Sequence, residues 1–300
     1  MNKVLLTGSS GFLGKILMQH VCQKCSIKTL SRSTGDYVFR LEDGIPCFDD
    51  NFDLVIHAAG LAHSAKKIGI DDFQKVNVLG TLNLLRGLEN SAIPRMLIFI
   101  SSVAVYGQAK GSLINEDASL RALDAYGQSK IDAEFVVINW CQLNNVTLTI
   151  LRLPLLVGDN PPGNLGSMIK GIKSGWYFNI GGGTAKKSMV LSEDVANFVL
   201  KVAPIGGIYN LTDGYHPTFS ELSERIATQC GQRLPLNLPM FAAKLLAMLG
   251  DLLGPKFPFN SEKLVKITSE LTFDDSKARK NLGWSPTPVL EGFLMKKLHL

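Results

Sequence analysis

Tyr126 and Lys130 stand four residues apart in "YGQSK", a spacing that sets both side chains on one face of a helix. A free tyrosine titrates near ~10, so its phenol is a poor proton partner at neutral pH without help. A nearby ammonium favours the phenolate and draws that pKa down. "ISSVAVYG" adds Ser102 at the end of an apolar run, where its hydroxyl can hydrogen-bond a carbonyl or alcohol oxygen. Together the three suit proton transfer to or from a substrate oxygen. Tyr and Lys at this spacing also occur on plain surface helices, so the pair takes its meaning from what lies upstream.

Upstream lies "TGSSGFLG", with Gly8, Gly11 and Gly14 just after the apolar run KVLLT. The spacing is GxxGxxG and not the commoner GxGxxG, but the physics is shared. Glycines permit a tight turn, and the helix that follows offers its first N–H groups to a pyrophosphate. Gly8, Ser10, Gly11, Phe12, Leu13 and Gly14 are therefore candidate cofactor ligands. A second strand ends at "TLSRST", where a carboxylate would hydrogen-bond the adenosine ribose of NAD. Here Ser31 and Arg32 stand instead. Losing the carboxylate and gaining a guanidinium suits a 2′-phosphate, so NADP(H) is expected, with NAD(H) the alternative. The plain reading of Arg32 is a solvated loop charge.

These residues need a scaffold. Strand runs recur at "IKTLS", "LVIHAAG", "RMLIFISS" and "LTILRLP", and "FQKVNVLGTLNLLRGLEN" and "AYGQSKIDAEFVVINWCQL" read as helices. Apolar strands alternating with helices predict an α/β fold built on a doubly wound parallel (Rossmann) sheet. After about Gly158 prolines and glycines break the pattern, and "KKSMVLSEDVANFVLKV" with "GGIYNLT" reads as a helix and strand returning to the sheet. The expected division gives 1–158 plus about 184–212 to the NADP-binding domain, and about 159–183 and 213–300 to a smaller substrate-binding region.

Composition sets the outer limits. At 46% hydrophobic and 19% charged the chain reads as globular, and its net charge of +5 comes without a run of like charges. An anionic small molecule fits that balance better than nucleic acid. Five cysteines, an odd number, argue against a disulfide framework and for a reducing cytoplasm. Cys22 and Cys25 form a CxxC pair late in a helical pattern, without a second pair at zinc spacing, so packing is expected and no metal. "MNKVLLTGSS" is too short an apolar stretch for a signal peptide. "LPMFAAKLLAMLGDLLGP", residues 238–255, is interrupted by Lys244, Gly250 and Asp251 and does not reach the ~20 apolar residues that span a bilayer. Burial in the small domain is expected for it over membrane-surface contact.

With "DLVIHAAG", "NVLGTLNLL", "SSVAVYG" and "DDSKARKNLGWSPT" added, nearly the whole chain resembles the extended short-chain dehydrogenase/reductase family, in its nucleotide-sugar branch of epimerases, dehydratases and 4-keto reductases. The resemblance implies Tyr126 as general acid/base, Lys130 on the nicotinamide ribose, and Ser102 on the reacting oxygen. It implies Ala58, Ala59, Gly60 and Pro154 along the cofactor, with His57 a structural neighbour of it. It places Asn164, and less firmly Lys187, on the diphosphate of a UDP-sugar substrate. Lys187 stands where relatives carry Arg and lacks the bidentate fork, and Leu153 stands where Pro is frequent. Dehydratases carry an acidic pair where this chain has Val103 and Ala104, neither of which moves a proton. What the resemblance then implies is an NADPH-dependent reductase of a UDP-4-keto-6-deoxy-N-acetylhexosamine in surface-polysaccharide synthesis. A UDP-sugar 4-epimerase is the alternative, and a non-catalytic NADP-binding protein the third reading. A homodimer through paired helices is implied as well.

Overall fold

Each long apolar run of the N-terminal half becomes a strand of one sheet. The computed structural model describes residues 3–62, 69–122, 124–254, 257 and 259–295; Pro255, which ends the apolar segment, and residues 296–300 lie outside them. Strands β1 (Lys3–Thr7), β2 (Ser26–Ser31), β3 (Tyr37–Val38), β4 (Leu54–His57) and β5 (Met96–Ser102) come first. Then follow β6 (Gly111–Ile114), β7 (Thr147–Leu153), β8 (Leu155–Val157), β9 (Phe178–Ile180), β10 (Met189–Leu191), β11 (Gly207–Asn210), β12 (Leu236–Leu238) and β13 (Leu271–Phe273). The earlier helices are α1 (Phe12–Val21), α2 (Ile70–Phe73), α3 (Gly80–Glu89), α4 (Ala125–Leu143), α5 (Gly163–Lys173) and α6 (Ser192–Val202). The later ones are α7 (Phe219–Gln229), α8 (Met240–Leu253), α9 (Ser261–Thr268), α10 (Ser276–Leu282) and α11 (Val289–Gly292).

Seven strands form the central sheet in the order β3-β2-β1-β4-β5-β7-β11, every neighbouring pair parallel. Parallel neighbours need crossovers, and helices supply them on both faces. Val4, Leu6, Leu54 and Ile56 face residues of α1 and α6, while Leu5, Val55 and Leu97 face α3 and α4. This two-sided burial is why the strands read as unbroken apolar runs. Strand order reverses between β1 and β4, which opens a crevice at their C-terminal ends. The expected doubly wound sheet is present, and β11 is the "GIYN" strand that returns to it.

Three expectations are refined or corrected. Residues 73–89 are helical as expected, but carry a π-helical stretch, Gln74–Leu79, before α3. The wider turn carries Asn77 into the interior, where it is 3% exposed. Second, the apolar segment, over its described residues 238–254, is buried only through its small residues. In α8 the small residues Ala243, Ala247 and Gly250 face inward, while Phe241, Leu245, Met248 and Leu252 are exposed. Small residues let the helix lie close to its support, and that turns the large ones outward. Third, Cys22 is exposed rather than packed, although Cys25 does lie against the core. Among the described residues no helix is long and apolar enough to cross a membrane.

Candidate active site

The glycine turn abuts the exit of β4. Gly8 has φ +73°, and a Cβ there would sit 2.6 Å from the Ala59 backbone nitrogen. At Gly14 a Cβ would meet the Gly8 carbonyl oxygen at 2.0 Å, so helix α1 can start this close to the turn only without a side chain. The first N–H groups of a helix have no partner within it, and those of α1 open onto the crevice rim. A cleft of about 160 Å³ opens here, lined by Gly8, Ser10, Gly11, Ala58, Ala59 and Gly60 together with Ser31, Arg32, Leu41 and Glu42. Its glycine floor and its place at the crevice where the strand order reverses fit the adenosine diphosphate part of a dinucleotide. Phe12, Leu13 and Gly14 continue into α1, with Leu13 in the core, and Pro154 sits between β7 and β8.

Arg32 is not a lone loop charge. Its Nη2 lies 2.9 Å from Glu42 Oε1, and Arg40 Nη2 approaches the same oxygen at 3.2 Å. The Glu42 side chain is 6% exposed, so the two guanidiniums compensate a carboxylate that burial alone would disfavour. Beside them Ser31 Oγ donates to Thr34 O at 2.5 Å and fixes the turn. The sequence reading missed Leu41 and Glu42. They lie on a one-turn 3₁₀ segment after a two-residue strand, too short for a periodic signal.

Ser102 and Tyr126 meet where β5, an interior strand of the sheet, ends and α4 begins. Asp124 caps α4 by accepting from the Gly127 N–H at 2.7 Å, which places Tyr126 as the second residue of the helix. Ser102, the last residue of β5, accepts from the Ala104 N–H at 3.2 Å. Burial pushes the Tyr126 phenol above its ordinary pKa; the hydrogen bond with Ser102 opposes this and the charge of Asp124 adds to it. Part of the residue still reaches solvent, and the Phe73 ring lies 6.0 Å away. Lys130 is 5% exposed. Its Nζ donates to Ile100 O at 2.7 Å and lies 4.2 Å from the centre of the Phe99 ring. Burial brings it down to about 8, against the raising effect of Glu134. The sequence reading expected the ammonium to lower the tyrosine. The structure differs, because Lys130 is turned onto Ile100 and burial governs the phenol.

A buried relay ties the β4 exit to α4. The Ala59 N–H donates to Thr7 Oγ1 at 3.2 Å, and Thr7 Oγ1 pairs with His57 Nδ1 at 2.7 Å. His57 Nε2 lies 2.8 Å from Thr81 Oγ1, which itself donates to Asn77 O at 2.6 Å. With its hydroxyl hydrogen so used, Thr81 accepts from Nε2–H, and Nδ1 accepts from Thr7. Burial, then the charge of Lys130, lowers His57 to about 3, so the imidazole is neutral and structural. Asn77 accepts from the Leu61 N–H at 2.6 Å and donates to Ser129 Oγ at 2.9 Å, clamping residues 58–61 against the catalytic-type helix. "NVLGTLNLL" carried this clamp in sequence without revealing its geometry.

The residues expected at a diphosphate lie apart from the cleft. Asn164 is the second residue of α5 and is exposed. Lys187 Nζ donates to Lys266 O at 2.8 Å and Ser269 O at 2.7 Å, at the C-terminal end of α9. Burial lowers it to about 8. Two of its three ammonium hydrogens are thus engaged with the protein itself.

Residues 4–211 match the model of the NAD dependent epimerase/dehydratase family. An Escherichia coli O157:H7 N-acetyl-alpha-D-glucosaminyl-diphospho-ditrans,octacis-undecaprenol 4-epimerase is 27% identical, covering 97% of this chain and 93% of its own. A Pseudomonas aeruginosa GDP-6-deoxy-D-mannose reductase is also 27% identical, over 75% of this chain and 79% of its own. Among solved structures, a UDP-N-acetylglucosamine 4-epimerase from Bacillus cereus shares the fold, with a TM-score of 0.75 at 22% identity over 98% of this chain and 96% of that one. With more than two thirds of its length matched and the glycine cradle in place, this chain is an NAD(P)-dependent enzyme and belongs to the NAD dependent epimerase/dehydratase family.

Proposed function

We propose that this protein is an NADPH-dependent reductase of a nucleotide-linked 4-keto-6-deoxy sugar, of the UDP-4-keto-6-deoxy-N-acetylhexosamine type, acting in the cytoplasm on precursors of surface polysaccharide. The observation that carries the reading is the Ser102–Tyr126 pair, a phenol hydrogen-bonded to a serine hydroxyl where β5 ends and α4 begins. A reductase needs a proton delivered to a carbonyl oxygen, and this pair sets a phenol proton beside a hydroxyl that can hold that oxygen; an ammonium brought beside the phenol would draw its pKa down toward neutral. Ser102 holds that oxygen, Tyr126 protonates it, and Lys130 turns from Ile100 toward the ribose and the tyrosine. When bound, the reduced nicotinamide supplies the hydride. Gly8, Ser10, Gly11, Phe12, Leu13, Gly14, Ala58, Ala59, Gly60 and Pro154 hold it, with Arg32 on the 2′-phosphate. Residues 1–158 and about 184–212 form this cofactor unit; about 159–183 and 213–300 take the sugar nucleotide, with Asn164 and the remaining Lys187 hydrogen on its diphosphate. A homodimer would use α3 and α4, where Phe135 is 65% exposed.

A second reading, a 4-epimerase, is favoured by one observation. Glu42 already occupies the guanidinium that the reductase reading gives to the 2′-phosphate. A captive NAD would then serve, and the substrate named for the Escherichia coli relative extends this reading to a sugar carried on polyprenyl diphosphate. A non-catalytic role loses ground because Tyr126 and Lys130 are both kept. Incubation with UDP-sugars and UDP-4-keto sugars, each with NADPH or NADH, separates the readings. Net cofactor oxidation with a 4-keto substrate supports the reductase; interconversion of 4-epimers without it supports the epimerase.

A further inference from the structure

Helix α8 carries its large apolar residues on the outside. Phe241, Leu245, Met248, Leu249, Leu252 and Leu253 are between 52% and 83% exposed, and at 100° per residue they fill one continuous arc. Ala243 and Ala247 on the opposite arc are fully buried and pack with Leu264, Ile180, Leu238 and Met240. The apolar surface runs on past the helix. Ile180 and Leu238 lie under α8, and one pleat earlier in the same ribbon Phe178 and Leu236 pair, 42% and 70% exposed. Isolated apolar residues on a surface are ordinary, but a contiguous patch of this kind marks a docking surface.

Charge identifies what docks. Among the described residues of 231–266, Arg233, Lys244, Lys263 and Lys266 outnumber Asp251 and Glu262. Both acids are engaged within the protein, Asp251 by the Ser261 N–H at 3.1 Å and Glu262 by Lys266 at 2.7 Å. Lys244 borders the apolar arc itself. A second copy would bring these cations against their own kind, whereas an anionic headgroup layer complements them. The helix has 14 residues, about 21 Å, so it is too short to cross a bilayer but suited to lie along one.

We propose that α8 and the adjoining β9–β12 ribbon dock this protein on an anionic lipid bilayer, with α8 lying in the interface plane. The proposal goes beyond the catalytic reading and does not depend on which sugar the site takes. Its test is co-sedimentation of the full chain with phosphatidylethanolamine/phosphatidylglycerol vesicles and with phosphatidylcholine vesicles. Wild type is expected to sediment with the anionic vesicles and to release as salt is raised. Leu245→Gln/Leu249→Gln/Leu252→Gln is expected to lower partitioning at least about a hundredfold, and Leu252→Gln alone several-fold, with unchanged circular dichroism. Lys244→Glu is expected to weaken binding to anionic vesicles. Failure of wild type to bind them overturns the proposal. So does equal sedimentation of a folded Leu252→Gln variant, or a wild-type dimer that the triple variant splits while vesicles are ignored.

Discussion

Arg152→Met isolates the interaction that joins the two halves of the catalytic-type pair. Arg152 and Glu134 are 3% and 1% exposed, and the guanidinium meets the carboxylate twice, at 3.1 and 2.7 Å. Ser101 Oγ donates to Glu134 at 2.5 Å, and Arg152 donates to the Tyr106 hydroxyl at 3.1 Å, which in turn donates to Asn210 at 2.8 Å. Ser101 precedes Ser102 on β5, and Glu134 lies one turn beyond Lys130 on α4, so the network locks strand to helix. Removing the guanidinium strands a buried carboxylate, which costs about 3–5 kcal/mol. At roughly 2.1 cal/mol/K per residue, 300 residues give an unfolding entropy near 0.6 kcal/mol/K, and the midpoint should fall by about 5–8 °C. Arg152→Met/Glu134→Leu, which removes both charges, should recover most of that loss. Urea and thermal unfolding of the three proteins supply the cycle. An Arg152→Met loss below about 1 kcal/mol, or a double variant worse than the single, refutes the claim that the pair is a compensated buried charge.

Other outcomes follow from the site. If Arg32 binds a 2′-phosphate, NADPH should bind about ten- to a hundredfold tighter than NADH, and Arg32→Ala should erase most of that in calorimetric titrations. Glu42→Gln, which frees Arg32 and Arg40, should widen the NADPH preference; a narrowed one removes Glu42 as a competitor. Asn164→Ala should raise KM with kcat nearly unchanged, and the reverse pattern in steady-state kinetics would move Asn164 off the diphosphate. His57 sits at about 3, below the ordinary 6.5, so the unfolded chain takes up a proton that the folded one refuses. Stability is then full above about 6.5 and falls toward pH 3 at up to about 1.4 kcal/mol per unit. His57→Asn should flatten that slope in urea titrations at stepped pH.

Local patterns made much of this readable. The sheet was legible because both of its faces are covered, which turns each strand into an apolar run, and the glycine turn because its spacing sits between a strand and a helix. Tyr126 and Lys130 were legible for the same reason, since one helix fixes their relation. Long-range pairings were not. Glu42 reaches Arg32 only because β3 runs parallel beside β2, and the Lys130–Ile100 bond depends on where α4 crosses β5. Helix α8 shows a different limit. Its apolar composition was legible, but composition did not say which face the small residues would turn inward.

The central claim is proton delivery by Tyr126 to a sugar 4-keto oxygen, and one measurement meets it directly. Wild type and Tyr126→Phe are compared for NADPH oxidation and product formation with a UDP-4-keto-6-deoxy-N-acetylhexosamine, alongside NADPH titration of both. One NADPH should be consumed per 4-hydroxy product, with a loss of roughly 10²–10⁴-fold in the variant and NADPH affinity preserved. Full turnover by Tyr126→Phe, or epimerised UDP-sugar with no net NADPH consumed by wild type, would contradict it.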